Sequence, residues 1–156
     1  MKTSITLLVF TLIFAFAIQK SFCQELTREH QDSLKSIVDF YFEQSIKIYQ
    51  KDSEPEDIDE LFNQFTDDFV YVHPKYGGEY SRQDLYEGYH YNQENGGYNG
   101  SVSGYKINNT IIGLNGVAVE RVFIKKEEDG STYEVDHGMT LFEFKDGKIQ
   151  RIKEYW

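Results

Sequence analysis

Tyr71 and His73 are the first residues in this chain whose types and spacing suit joint chemistry. In an extended segment alternate side chains share a face, so these two point the same way. An imidazole titrates near neutral pH and can take a proton, and a phenol can donate to a developing oxyanion. Arg121 and Phe123 stand in the same alternate relation further along. Asp136 and His137 are adjacent, so on a regular strand they face opposite ways and make no dyad. His90, in Tyr89-His90-Tyr91, is expected at the exposed end of a helix. His73 also has a plainer reading, as a residue that satisfies a strand end beside Pro74.

The rest of the sequence limits what these groups can be asked to do. Of 156 residues only Cys23 is a cysteine, and it falls at the end of an apparent export segment. Lys2 supplies a positive start, Leu7 to Ile18 is apolar except for Thr11, and compact residues follow at Ser21 and Cys23. That run suits a signal peptide and is short for a membrane span. Cleavage after Cys23 is expected, with a periplasmic or secreted product. Cys23 as a lipidated residue is the rival reading, and Phe22 counts against it by standing where a small residue is wanted. The remainder, residues 24–156, is long enough to bury a core as one domain. It has no thiol for a disulfide, a metal or a nucleophile. The whole chain carries a formal charge of −10, which argues against binding phosphate backbones. No nucleic-acid partner and no stable membrane insertion are expected.

The elements that must position the candidate residues follow from periodicity. A polar lead-in is expected over 24–32. Leu34, Ile37, Val38, Tyr41, Phe42, Ile46 and Tyr49 then recur at helical spacing, predicting a helix from Ser33. Ser53 as cap and Pro55 open a second, with Ile58, Leu61, Phe62 and Phe65 on its apolar face. Phe69 to His73 reads as a strand ending at Pro74, and Gly77-Gly78 as a turn. Ser81 and Asp84 form a capping box for a third helix over 82–93. From Ser101 the period changes to two. Strands are expected over 101–112, 117–127, 132–144 and 148–156, with turns at Gly113 to Gly116, Glu128-Asp129-Gly130 and Asp146-Gly147. Helices first and an antiparallel run last make the class α+β. Tyr76, Tyr80, Tyr86, Tyr89, Tyr91, Tyr98 and Tyr105 crowd the stretch between the strand and the meander. They are readable as a pocket rim, a partner-contact surface or core filling.

The order helix, helix, strand, helix, long meander resembles the nuclear transport factor 2-like superfamily in its SnoaL-like branch. The residues that carry the likeness are Leu141 to Trp156 with its Asp146-Gly-Lys-Ile turn, Phe65 to Pro74, and Val119-Glu-Arg-Val122. The resemblance covers residues 33 to 156. It implies helices packed on a curved, mostly antiparallel sheet around a conical cavity, a fold also called cystatin-like. It also implies inward-pointing polar groups, where pKa shifts are expected.

Carried over position by position, the epoxide-hydrolase branch of the family puts Tyr71 and His73 at the positions of its water-holding tyrosine and asparagine. Arg121 matches its arginine, Phe123 stands where its acid would be, and Glu154 matches its last-strand acid. That set is incomplete. The SnoaL-like cyclases resemble this chain in the last-strand acid, but their histidine position falls on Thr140. The candidate catalytic groups are therefore His73, Tyr71, Glu154 and Arg121. Phe123, Thr140, Phe142 and Trp156 are the expected ligand-contact residues. A buried pair with Arg121 would keep Glu154 ionised, leaving His73 the better base. Arg121 with Glu154 reads equally as a structural cross-strand pair. His73, His137 and Glu154 are the one conceivable zinc set, and no metal or cofactor is expected. Three functions stay open: a pocket for a small, mostly apolar molecule, a proton-transfer enzyme (isomerase, cyclase or dehydratase type), and a module that dimerises through the sheet.

Overall fold

The computed structural model describes residues 26–155. The N-terminal stretch read as an export signal, with Cys23, and Trp156 at the other end, lie outside the described residues. The first helix, α1, spans Arg28–Ile48. The Thr27 hydroxyl caps it by accepting from the His30 N–H at 3.2 Å. The polar lead-in expected over 24–32 is thus corrected, since helix begins at Arg28 rather than Ser33. The apolar stripe starts only at Leu34, so the exposed first turn carries no periodic signal.

The second helix, α2, spans Pro55–Phe62 and is capped by Glu54, not Ser53. The Glu54 N–H donates to Asp57 Oδ2 at 2.9 Å, and Pro55 sits where its missing N–H costs nothing. Strand β1 runs Phe65–His73, starting earlier than Phe69 because Phe65 and Phe69 both turn inward and stack at 4.1 Å. A single 3-10 turn, Pro74–Tyr76, ends at Gly77, whose φ of 81° favours glycine. Strand β2, Gly78–Ser81, follows where the sequence suggested only a turn. Helix α3 spans Arg82–Glu94, and the Ser81–Asp84 capping box forms as expected.

The meander is β3 (Val102–Ile112), β4 (Gly116–Lys126), β5 (Thr132–Lys145) and β6 (Lys148–Tyr155). One six-stranded sheet results, in the order β2-β1-β6-β5-β4-β3, with only β1 and β6 parallel. It is curved and unclosed. Extra residues interrupt the ladders. Ile107 pairs with Arg121 and Asn109 with Glu120, leaving Asn108 over. Arg121 pairs with Gly138 and Phe123 with Val135, so an extra residue lies at Asp136-His137. Glu143 pairs with Arg151 and Phe144 with Ile149, which leaves out Gln150. Such bulges bend a sheet and raise its twist, as wrapping around the helices requires.

The core lies between α1, α2 and the inner sheet face. Phe42, Phe62, Phe65, Phe69 and Phe142 are all buried there. Phe142 meets Tyr41 and Phe42 edge to face at 5.1 and 5.8 Å. Burying each such ring contributes roughly 1.5–3 kcal/mol. This packing closes one end of the cone. Among the described residues no helix is long and apolar enough to cross a membrane.

Candidate functional site

The other end of the cone is a cavity of about 450 Å3 between α1, α3 and the sheet. Tyr71, His73, Arg121 and Glu154, from β1, β4 and β6, all line it. They come together because the bulges preserve parity where it matters. On β4, Val117, Val119, Arg121 and Phe123 all turn inward. On β6, the extra Gln150 lets both Ile149 and Ile152 turn inward, and Glu154 follows Ile152 by two.

Arg121 and Glu154 form a buried ion pair, with Nη2 donating to Oε2 at 2.9 Å and relative exposures of 1% and 4%. Thr140 joins them: its hydroxyl donates to Glu154 Oε2 at 2.8 Å and accepts from Arg121 Nε at 3.4 Å. Arg121 Nη1 donates to the Asp136 carbonyl at 2.6 Å. Asp136 reaches that position with a left-handed φ of 52°, inside the β5 bulge. The guanidinium also lies over the Phe123 ring, 4.5 Å from its centroid. A buried ion pair is tolerable only with such full hydrogen bonding, because each desolvated charge costs several kcal/mol.

His73 is buried beside Tyr71, their ring centroids 5.9 Å apart. Burial pushes the imidazole below its ordinary pKa, against the upward pull of the Glu154 charge. It is therefore neutral at pH 7, the form that can accept a proton.

Phenols supply most of the wall. Tyr41 comes from α1, Tyr49 from its C-cap, Tyr71 from β1, Tyr80 from β2, Tyr89 from α3 and Tyr98 from the following loop. Burial pushes the Tyr41 and Tyr89 hydroxyls well above their usual range, and those of Tyr49 and Tyr98 upward, so all four stay protonated. Tyr49 and Tyr98 lie against each other with ring centroids 5.4 Å apart, and Tyr89 and Tyr98 with centroids 6.1 Å apart. The loop carrying Tyr98 is pinned to the end of α1: Gly100 N–H donates to the Tyr49 carbonyl at 2.9 Å, and Gln50 Nε2 donates to the Val102 carbonyl at 3.0 Å.

Of the residues expected to contact a ligand, Phe123 lines the cavity. Thr140 stands behind it, holding the ion pair. Phe142 belongs to the packed core, and Trp156 is outside the described residues. The tyrosine-rich stretch divides. Tyr80, Tyr89 and Tyr98 face the cavity. Tyr86 packs on Phe62 and donates to Asp59 Oδ1 at 2.6 Å, while Tyr105 stacks on Phe42 at 5.0 Å. Tyr91 is exposed, and the side chain of Tyr76 is outside the description. Tyr41, Tyr49 and Asp84 are cavity residues that the sequence reading assigned to helix faces and a cap. The available signal was tyrosine rather than phenylalanine at two positions of the α1 stripe. His90 is half-buried against Tyr86 rather than at an exposed helix end, and His137 is exposed. Among the described residues no group of three or more His, Cys, Asp or Glu side chains is arranged to hold a metal.

No protein-family model matches this sequence, and no curated protein is significantly similar to it. Solved structures are similar in fold. An NTF2-like protein from Anabaena variabilis superposes with TM-score 0.55 at 15% identity, covering 84% of this chain and 92% of that one. A candidate polyketide cyclase from Xanthomonas campestris pv. campestris gives 0.53 at 16% identity, over 81% and 92%. An NTF2-like protein of unknown function from Cytophaga hutchinsonii gives 0.54 at 13%, over 80% and 96%. At such identities the likeness is one of fold, and this chain has the nuclear transport factor 2-like fold.

Proposed function

We propose that this chain is an exported domain whose conical cavity binds a small, largely apolar molecule. The observation that carries the reading is the cavity of about 450 Å3, walled by aromatic rings and based on an ion pair already satisfied by Thr140 and Asp136. Concave, mostly apolar sites with a few oriented polar groups are the usual form of small-molecule pockets. Export rests on the N-terminal pattern from Lys2 to Cys23.

The test uses Gly88, which lines the cavity from α3 and has open space where a Cβ would stand. Gly88→Trp is chosen to place a bulky ring in the cavity from a position where the Cβ itself meets nothing within 4 Å. A panel of small neutral aromatic and alicyclic compounds is screened by thermal shift. Binders should stabilise the wild-type protein by about 2.7 kcal/mol at a hundred times Kd, and so raise its Tm, while leaving Gly88→Trp unmoved. Equal shifts in both proteins would place binding elsewhere and end this reading.

A second reading has its own observation: neutral, buried His73 beside Tyr71 at the cavity wall. That is the arrangement of a general base next to a hydrogen-bond donor, suited to isomerisation, cyclisation or dehydration. NMR titration of His73 decides it; an ordinary pKa with no response to a bound ligand removes the base. Pairing through the outer sheet face, where Ile111, Met139 and Tyr155 are exposed, is a further proposal that light scattering checks.

A further inference from the structure

Six tyrosines, Phe42 and Phe123 line the cavity, while Leu85 is the only aliphatic side chain larger than alanine among the described lining residues. A cavity for a neutral hydrocarbon needs no such bias. Aliphatic walls would bury the same area, and Leu, Ile and Val elsewhere in this chain do so in the core. What rings add is electron-rich faces, which attract cations.

The fixed charges agree. The charged residues lining the cavity are Asp84, Arg121 and Glu154, with no lysine. Arg121 and Glu154 are bound to each other, so the carboxylate of Asp84 is left in excess. Asp84 is exposed on the rim, and its carboxyl lies below the usual range because Ser81 donates to it twice, at 2.9 and 2.6 Å, not because a cation sits on it. Tyr80 immediately precedes Ser81 and pairs across the strands with Tyr71, their rings 6.4 Å apart. The β1–β2 side of the cavity lining thus supplies two aromatic rings, and the helix that follows β2 supplies a carboxylate. Elsewhere the lining gathers Tyr49, Tyr89, Tyr98 and Phe123, with centroid separations of 5.4 to 6.5 Å. An anionic ligand would meet the excess carboxylate and would have to draw Arg121 from four established partners. The formal charge of −10 on the whole chain also favours a positive ligand.

We infer that the ligand of this cavity is a small organic ammonium, its cationic head at the Tyr71–Tyr80–Asp84 side and its apolar part against Tyr49, Tyr89, Tyr98 and Phe123. This rests on the small-molecule reading above and adds the charge of the ligand to it.

Calorimetry with two probes of one shape makes the test: choline, and its neutral isostere 3,3-dimethylbutan-1-ol. The wild-type protein should bind choline at least tenfold more tightly. Tyr80→Phe, which keeps the ring, should keep that preference. Tyr80→Leu should lose most of it, and Asp84→Asn should reduce it severalfold and weaken its dependence on salt. Circular dichroism and Tm establish that each variant folds. Equal affinity for both probes would overturn the inference while leaving the apolar-pocket reading intact. Failure to bind choline overturns it too, and if the neutral panel also fails, the pocket reading goes with it. Undiminished preference in Tyr80→Leu would sink the placement, and the inference with it.

Discussion

The two ends of the cone use the same scaffold and similar rings to opposite effect. At the closed end Phe62, Phe65, Phe69 and Phe142 pack to exclude solvent. At the open end Tyr49, Tyr71, Tyr80, Tyr89 and Tyr98 stand half-buried around space. The difference is one oxygen per ring. A phenylalanine gains most when every face is covered, whereas a buried phenol must find a partner. Standing at a cavity lets a phenol oxygen meet solvent or a ligand, while below it Glu154, Thr140 and Asp136 hold the Arg121 guanidinium. A hydrogen-bonded base holds its shape without being covered, which a purely apolar base does less well.

The largest effects should come from breaking each end at its tightest point. Phe69→Ala removes a stacked ring from the closed end and should cost about 3–5 kcal/mol in denaturant unfolding. Arg121→Met leaves Glu154 buried without its cation and should cost a similar amount, about 3–5 kcal/mol. The two then part. Arg121→Met combined with Glu154→Leu should recover most of the loss, because desolvation of both charges is removed together. No second substitution should rescue Phe69→Ala in that way. If the double variant is no better than Arg121→Met, the cluster acts through more than its charge.

A smaller effect separates the ends by pH. The folded pKa of His73 lies below its unfolded value, so the unfolded chain takes up a proton first as pH falls. The stability that neutral His73 contributes is complete above the ordinary histidine range of about 6.5 and is lost as pH drops through the folded pKa. Wild-type Tm should fall between pH 7.5 and 5.5. His73→Asn should flatten that fall, while Phe69→Ala should lower Tm at both values without changing the slope. A slope unchanged in His73→Asn would mean other groups titrate in this window.

Much of this was legible in sequence, for physical reasons that also mark where legibility ends. Period two gave the meander, and Asp146-Gly147 its turn, since both residues take the positive φ that such a pair tolerates (52° and 76°). Alternation also put Tyr71 with His73 and Arg121 with Phe123. What stayed hidden depends on three-dimensional context. Asp136 has the same φ of 52° as Asp146 but lies mid-strand, in the β5 bulge that turns its carbonyl to Arg121. No local pattern announces that. Strand β2 is too short to alternate visibly. Thr140 looked like a replaced catalytic position and proves to be the hydrogen-bond bridge of the ion pair. Tyr41 and Tyr49 looked like core because a helical stripe records which face is covered, not whether the cover is tight.

The smallest expected effects probe that last distinction. Tyr49→Phe removes one phenol oxygen from the cavity wall and should cost about 1 kcal/mol or less, well below any phenylalanine truncation at the closed end. Two glycines then report local space in opposite senses. At Gly138 a Cβ would stand 3.1 Å from the Tyr155 carbonyl and 3.8 Å from Arg121 Nη1, so Gly138→Ala should destabilise. At Gly88, inside α3, a Cβ would meet nothing within 4 Å. Gly88→Ala removes the helix penalty of glycine and should raise stability by roughly 0.5–1 kcal/mol. Chemical denaturation of the two variants side by side reads the sign directly. A loss at Gly88 would mean that the cavity is closed in solution, and that the open end is packed like the other.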